Sequence, residues 1–264
     1  MADNPNADRP NPARMYDYWL GGTHNTAIDR MAADKAASVN PDIPLALRTN
    51  RHFLRRAVTF LTKQGIDQFL DIGSGIPTSE NVHEVAHQHN PDARIVYVDI
   101  DPIAVAYGQH ILQGQTQATT IESDIIHFDE ICSHSETKRL INFQRPVAIL
   151  LVSMLHFVPN DTEVQRVIAQ IKESMSAGSY LAISHATIDS ATPQQHTEMR
   201  EIYSKTTMPI KGRTKREITA LFDGLQLVEP GVVFAPLWRP DGKEDLWLDQ
   251  PDRSLAFVGV GKKV

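Results

Sequence analysis

The chain has 264 residues, of which 41% are hydrophobic and 22% charged, and a formal net charge of -6. These values are ordinary for a globular protein, leave room for a sizeable core and exclude the basic footprint of a nucleic-acid binder. A single cysteine, Cys132, excludes an internal disulfide framework, and no apolar run reaches the ~18–20 residues of a membrane span. With an N-terminus that is polar and acidic rather than signal-like, the expectation is a soluble cytoplasmic protein with no membrane partner.

Met1–Pro12 holds three prolines, three asparagines and two aspartates without apolar periodicity, and reads as a flexible lead-in. Residues 13–64 read as a helical cap on one domain that runs to residue 264. In Ala13–Asn25, Tyr16, Tyr18 and Trp19 precede the Gly21-Gly22 pair. This segment is either a short helix that anchors the terminus by burying Met15, Trp19 and Leu20, or a lid that closes Tyr16, Tyr18 and the glycines over a ligand. Ile28–Val39 favours helix, and Asn40-Pro41-Asp42-Ile43-Pro44 breaks it. Asn50 reads as the N-cap of a helix to Gln64, with Phe53, Leu54, Ala57, Val58 and Leu61 on one face. Arg51, Arg55 and Arg56 point elsewhere, and Arg51 is the candidate for a ligand carboxylate.

From Gly65 the rhythm alternates. Strands are expected at Gln68–Ile72, Arg94–Asp99, Ala118–Glu122, Pro146–Ser153 and Tyr180–Ser184. Helices are expected at Asn81–Gln88, Ala104–Leu112 and Val164–Met175. Such alternation predicts a doubly wound α/β fold with a mostly parallel sheet, right-handed crossovers and ligands outside the carboxyl ends of the strands. The last quarter departs from it, with helices at Gln195–Lys205 and Thr214–Phe222 and strands at Leu225–Ala235 and Leu255–Val260.

The chemistry gathers at the strand ends. Phe69–Thr78 runs from a short apolar strand through Asp71 into a glycine turn, Gly73-Ser74-Gly75, where the backbone bends and offers free N–H groups to a polar ligand. Asp99 closes the second strand, 26 residues after Gly73, where an acid accepts hydrogen bonds from ribose hydroxyls. Asp124 follows the third strand, placed to accept from an exocyclic adenine amine. One strand-end carboxylate is often only a helix cap; three in succession behind a glycine turn describe a nucleoside site. Thr78 stands where a dinucleotide fingerprint needs a third glycine, which argues against a nicotinamide or flavin enzyme.

With these residues in hand, the chain resembles the class I S-adenosylmethionine-dependent methyltransferases. Phe69–Thr78, Val98–Pro102 and Glu122–Ile125 are similar to their first three motifs. More closely it resembles a largely uncharacterised bacterial family of S-adenosyl methyltransferases through Ala13–Asn25, Arg48–Val58, Gln68–Ala86, Tyr97–Pro102, Val147–Asp161 and Pro230–Gly242. The resemblance implies a seven-stranded sheet with an antiparallel last strand, and S-adenosyl-L-methionine bound over the first turn. It also implies that the Tyr16–Gly22 segment packs beside that site, and that Ile76, Ile100, Ile125 and Ser153 join Gly73, Gly75, Asp71, Asp99 and Asp124 around the cofactor. Thr23-His24 departs from the Lys-Asp pair expected in many relatives. The implied activity is methyl transfer to a small or medium-sized molecule. The alternative is a protein that binds the cofactor or its demethylated product as a sensor, without turnover.

His156 and His185, after the fourth and fifth strands, are the candidate general bases, though a lone histidine is more often structural. Trp238, Arg239 and Tyr203 read as acceptor-pocket lining or as core packing. His83-Glu84-Val85-Ala86-His87 matches the H-E-x-x-H zinc pattern, but it falls on a crossover helix with one face on the sheet and no third ligand in view, so no metal is expected. Cys132 reads as a half-buried spectator.

Overall fold

The computed structural model describes residues 9–77, 80–242 and 246–264. Three helices come first: α1 (Pro12–Trp19), α2 (Ala27–Val39) and α3 (Ile43–Lys63). The alternating part follows as β1 (Gln68–Ile72), α4 (Val82–His87), β2 (Arg94–Asp99), α5 (Pro102–Ile111) and β3 (Ala118–Glu122). Next come α6 (Phe128–Ser133), α7 (Ser135–Leu140), β4 (Ala148–Val152), α8 (Asp161–Ser174) and β5 (Tyr180–Ala186). The chain closes with α9 (Pro193–Ser204), α10 (Lys215–Ala220), β6 (Gln226–Leu227), β7 (Val233–Phe234) and β8 (Ala256–Lys262).

The sheet runs in the order β3-β2-β1-β4-β5-β8-β6, with β7 also on β8. The first five strands pair in parallel, and β8 lies antiparallel to β5 over seven residue pairs, Tyr180↔Lys262 to Ala186↔Ala256. This is the expected doubly wound, mostly parallel arrangement with an antiparallel last strand, but with eight strands among the described residues rather than seven, because the edge beyond β8 is split into β6 and β7. Successive strand residues face opposite sides. Leu70, Ile72, Val96, Val98, Ile149 and Leu151 therefore pack under α6, α7 and α8, while Phe69, Ile95, Tyr97, Ala148 and Leu150 pack under α3 and α4. Both faces are covered, which is why β4 reads Ala-Ile-Leu-Leu-Val with no polar position. Among the described residues no helix is long and apolar enough to cross a membrane.

Three expectations change. Leu225–Ala235 is not one strand but two residue pairs, β6 and β7, on the same edge of β8. Pro230 has no N–H to give a ladder, and Gly231, at φ 81°, donates back to the Val228 carbonyl at 2.9 Å. Asn50 is not an N-cap, because α3 begins a full two turns earlier with Pro44 in its first turn, where a missing N–H costs nothing. Asn50 is instead a buried mid-helix residue whose side chain takes the Ser184 hydroxyl and donates to the Tyr16 hydroxyl at 3.1 Å. Of the lead-in, residues 1–8 lie outside the described residues; the Pro10 carbonyl accepts from Thr207 N–H at 2.9 Å, and Asn11 is buried as the cap of α1.

The α1 helix buries Met15 and Trp19 against α2 and α9. Arg14, buried, reaches Asp29 at 2.8 Å and Asp101 at 3.6 Å, so α1 is tied both to α2 and to the start of α5. That link sets α1 across the carboxyl ends of β1 and β2.

Candidate functional site

Two strands build the first turn. Gly73 and Ser74 donate their N–H groups to the Val98 carbonyl of β2 at 2.8 and 3.1 Å. Asp99, buried at the end of β2, accepts from Gly75 N–H at 2.7 Å and from Asp101 N–H at 2.9 Å. Gly73 sits at φ 74° and Gly75 at φ 65°, a conformation that L side chains rarely adopt. A Cβ on Gly73 would also lie 2.2 Å from Met154 Cγ, whereas one on Gly75 would meet only Ala13 Cβ at 3.9 Å. Gly73→Ala should therefore cost about 1–3 kcal/mol of stability through overpacking and strain. Urea denaturation reads this directly, and an unchanged midpoint would mean that neither the Met154 contact nor the left-handed backbone at Gly73 opposes a side chain. Thr78, the departure from the dinucleotide fingerprint, lies outside the described residues.

Along the carboxyl edge runs a cavity of about 1480 Å³. Its β1–β3 end is lined by Asp71, Gly73, Gly75 and Ile76 from the first turn, Asp99 and Ile100 after β2, and Asp124 and Ile125 after β3. Tyr16 of α1, Arg51 of α3 and Ser153 after β4 line it too. Asp124 also caps the turn that follows, accepting from Ile126 N–H at 3.1 Å. The Tyr16 hydroxyl donates to the Leu47 carbonyl at 3.2 Å, which fixes α1 to α3 over the cavity. Tyr18 faces outward instead, its hydroxyl on Asp34 at 3.0 Å.

Asp71 is the electrostatic focus. It is 6% exposed, and among the described residues its carboxylate accepts no hydrogen bond. Burial pushes its pKa up to about 7, the Arg51 guanidinium opposing and the Asp99 charge adding to the rise. Burial also raises Asp99, against the two N–H groups it accepts. The cavity thus holds a carboxyl raised by burial that, among the described residues, has no ion-pair partner.

Two of the candidate residues stand elsewhere. Gly22 does not line the cavity; a Cβ there would fall 2.0 Å from the buried Asp17 Oδ1, so this glycine permits close packing on α1. His185 does not line it either and is fully buried. Its Nδ1 donates to its own strand's Ala186 carbonyl at 2.7 Å, while Arg213 Nη1 donates to its Nε2 at 2.8 Å. A carbonyl can only accept and a guanidinium only donate, so the ring is neutral with both nitrogens engaged. Burial depresses its pKa to about 3. The expected base is part of the wall's framework.

His156 does reach the cavity, from the turn after β4. Its Nδ1 accepts from Ala186 N–H at 3.4 Å, which leaves the proton of the neutral ring on Nε2. Burial holds it well below the ordinary imidazole range, the neighbouring His185 and Arg213 adding to this. At neutral pH it offers a donor rather than a base.

The far half of the cavity was not foreseen as a whole. Ile43 and Leu47 of α3, Phe157, Met199 and Tyr203 of α9, and Met208 and Ile210 beyond it complete the wall. Of the three aromatic or cationic candidates only Tyr203 belongs to it. Trp238 is fully buried edge-on to Phe53 and Phe60, and the Arg239 guanidinium covers the Phe60 ring at 4.3 Å. The H-E-x-x-H residues are each occupied: His83 Nδ1 shares a hydrogen bond with the Tyr97 hydroxyl at 2.7 Å, Glu84 accepts from Asn81 N–H at 2.8 Å, and His87 Nε2 donates to the Ala93 carbonyl at 2.9 Å. Among the described residues no His, Cys, Asp or Glu cluster could hold a metal ion. Burial lifts the half-buried Cys132 thiol to about 11, so it stays protonated.

The family model described as S-adenosyl methyltransferase matches residues 2–264. A crystal structure of a Thermobifida fusca YX protein assigned as a methyltransferase superposes with a TM-score of 0.90 at 39% identity, covering 100% of this chain and 99% of that one. A DUF574 family protein from Streptomyces avermitilis MA-4680 superposes with a TM-score of 0.91 at 35% identity, covering 98% of this chain and 99% of the other. The fold alone is shared with an S-adenosylmethionine-dependent methyltransferase from Methanosarcina mazei, at a TM-score of 0.51 and 14% identity over 75% of this chain and 93% of that one. No curated protein matches the chain.

Proposed function

The chain belongs to the S-adenosyl methyltransferase family and uses S-adenosyl-L-methionine, and from that premise we propose where the cofactor lies and which residues hold it. It lies along the carboxyl ends of β1, β2 and β3, its methionine part against the Gly73–Gly75 backbone. Asp71 takes the ammonium group and Arg51 the carboxylate. Asp99 takes the ribose hydroxyls, while Asp124, Ile100 and Ile125 surround the adenine. Tyr16 and Ser153 border the passage toward the far half.

The residues fit such a molecule. A buried carboxyl with no hydrogen bond among the described residues needs a cation, and the α-ammonium supplies one. The open Cβ direction at Gly75 leaves room where a side chain would intrude. The observation that carries the reading is the convergence of Asp71, Gly75 and Asp99, from two adjacent strands, on one cavity. When bound, the cofactor supplies an electrophilic methyl group on a sulfonium. The protein's own part is positioning and the exclusion of water by α1, tied down through Arg14 and Tyr16. The acceptor is a small molecule entering from the β4–β5 side.

Calorimetric titration with S-adenosylmethionine, S-adenosylhomocysteine and NAD between pH 5.5 and 7.5 tests this. The two adenosyl compounds should bind and NAD should not. Affinity should rise with pH by up to roughly tenfold per unit below about 7, as Asp71 ionises against the ligand cation, and then level off. Asp71→Asn should flatten that slope. In the ligand-free protein the same group acts in the opposite sense. Its raised folded pKa contributes stability below about pH 4 that is lost as pH rises through about 7, because the unfolded chain releases the proton first. Tighter binding of NAD, or an affinity indifferent to pH in the parent protein, would overturn the assignment.

A further inference from the structure

We infer that the acceptor is a flat, largely apolar molecule carrying a hydrogen-bond-accepting atom, which the Nε2–H of His156 grips. This rests on the assignment of the β1–β3 end of the cavity to the cofactor. A single ligand commonly occupies about 300–1,000 Å³, so a cavity of about 1480 Å³ has space for a second molecule beside the first. Sheet order places that space under the ends of β4 and β5, beyond Ser153.

The walls there are apolar. Ile43, Leu47, Phe157, Met199 and Ile210 are only partly buried, each packed on the Met15–Trp19–Tyr203 cluster while lining the cavity. Unbranched methionines adapt to irregular shapes and contact ring edges well. The rings follow one another: His156 and Phe157 lie 4.4 Å apart between centroids, and Phe157 and Tyr203 lie 6.1 Å apart and inclined by only 38°. Such a series presents faces and edges to a planar guest.

Charge is kept to the margin. Lys211 is held by Asp161 at 2.7 Å, Glu163 is half-buried, and Arg200 and Glu201 of α9 are exposed. Arg213, buried behind His156, is already paired with Asp161, so among the described residues a charged, compact acceptor would find no free buried counter-charge lining this half, and burying it there would be costly. His156 Nε2 reaches this half without a hydrogen-bond partner among the described residues, and it shares that state with the Tyr203 hydroxyl and with Trp19 Nε1, both on buried side chains that line the cavity. A buried N–H in an apolar wall calls for an acceptor, and the guest is the group positioned to supply it. Arg213 and His185 stand behind His156: Arg213 donates to the carbonyls of Leu155 and Val158 on either side of the His156–Phe157 turn. The donor is therefore aimed by a framework.

The test is calorimetric titration of protein saturated with S-adenosylhomocysteine, using 1-naphthol as the planar probe, guanidinoacetate as a compact charged one and decanoate as an acyl chain. We expect 1-naphthol to bind and the other two to bind at least about tenfold more weakly. His156→Phe should weaken 1-naphthol about tenfold or more, the share of one hydrogen bond, and His156→Gln, which keeps a donor, should recover part of the loss. Met199→Glu and Leu47→Glu should each weaken it similarly while leaving S-adenosylhomocysteine affinity unchanged, which also reports that the variants fold. Preference for guanidinoacetate or decanoate, or 1-naphthol affinity indifferent to these substitutions, would overturn the inference while sparing the cofactor site. Failure of S-adenosylhomocysteine to bind the parent protein would remove both.

Discussion

Asp99→Ala should bind S-adenosylhomocysteine about 10- to 150-fold more weakly than the parent protein, equivalent to about 1.5–3 kcal/mol. Each carboxylate oxygen already accepts one backbone N–H, from Gly75 at 2.7 Å and from Asp101 at 2.9 Å. Each keeps a further lone pair for a ribose hydroxyl, and charged acceptors make the stronger hydrogen bonds. Alanine removes both ligand contacts and leaves the Gly75 N–H without its acceptor, so the first turn also loosens. Part of the loss should therefore appear as a lower melting temperature of the ligand-free protein. Asp99→Asn separates the two effects, because it keeps the volume and one acceptor but turns an NH₂ toward one of the two N–H groups. An intermediate affinity is expected for it. If Asp99→Ala matched the parent in calorimetry, the ribose assignment would be wrong.

Arg213→Met should destabilise the fold by about 3–5 kcal/mol. Arg213 is 3% exposed and lies between α8, β5 and the turn after β4. It donates to the Leu155 carbonyl at 3.2 Å, the Val158 carbonyl at 3.0 Å, His185 Nε2 at 2.8 Å and Asp161 Oδ1 at 2.9 Å. The Asp161 side chain is 56% exposed, so that ion pair contributes little by itself. The cost comes from the Val158 carbonyl and the imidazole nitrogen, which remain buried with nothing to accept from, while the Leu155 carbonyl keeps the Val158 N–H at 3.1 Å. Methionine fills the stem's volume and leaves those acceptors empty. Urea denaturation at neutral pH should show the shift, and a loss below about 1 kcal/mol would mean that water replaces the guanidinium. The turn that carries His156 and Phe157 should lose order first.

The strand ends were legible because local chemistry determines them. Ala118–Glu122 is bounded as expected, and Asp71, Asp99 and Asp124 sit on the cavity because an apolar run ending in an acid has few other ways to stop. The start of α3 was hidden by Pro44, which breaks a helix in its interior and is tolerated in its first turn; spacing alone does not say which. The two short helices over Phe128–Leu140 carried no apolar period long enough to stand out. His185 and Gly22 were misread for a different reason. Each is next to a plausible site in sequence, but its decisive partner is a single side chain: Arg213, 28 residues on, and Asp17, whose oxygen leaves no room for a Cβ. The far wall was illegible for the same reason on a larger scale, since α3, α9 and the segment after α9 meet only in three dimensions.

The most direct test of the account is a crystal structure of the protein grown with S-adenosylhomocysteine. The ligand should lie over Gly73–Ile76, with its ribose on Asp99, its ammonium on Asp71 and its sulfur directed toward the space between Ser153 and His156. Density for the ligand anywhere but the carboxyl ends of β1, β2 and β3, or with Asp99 and Asp71 out of contact, would contradict the assignment of this site.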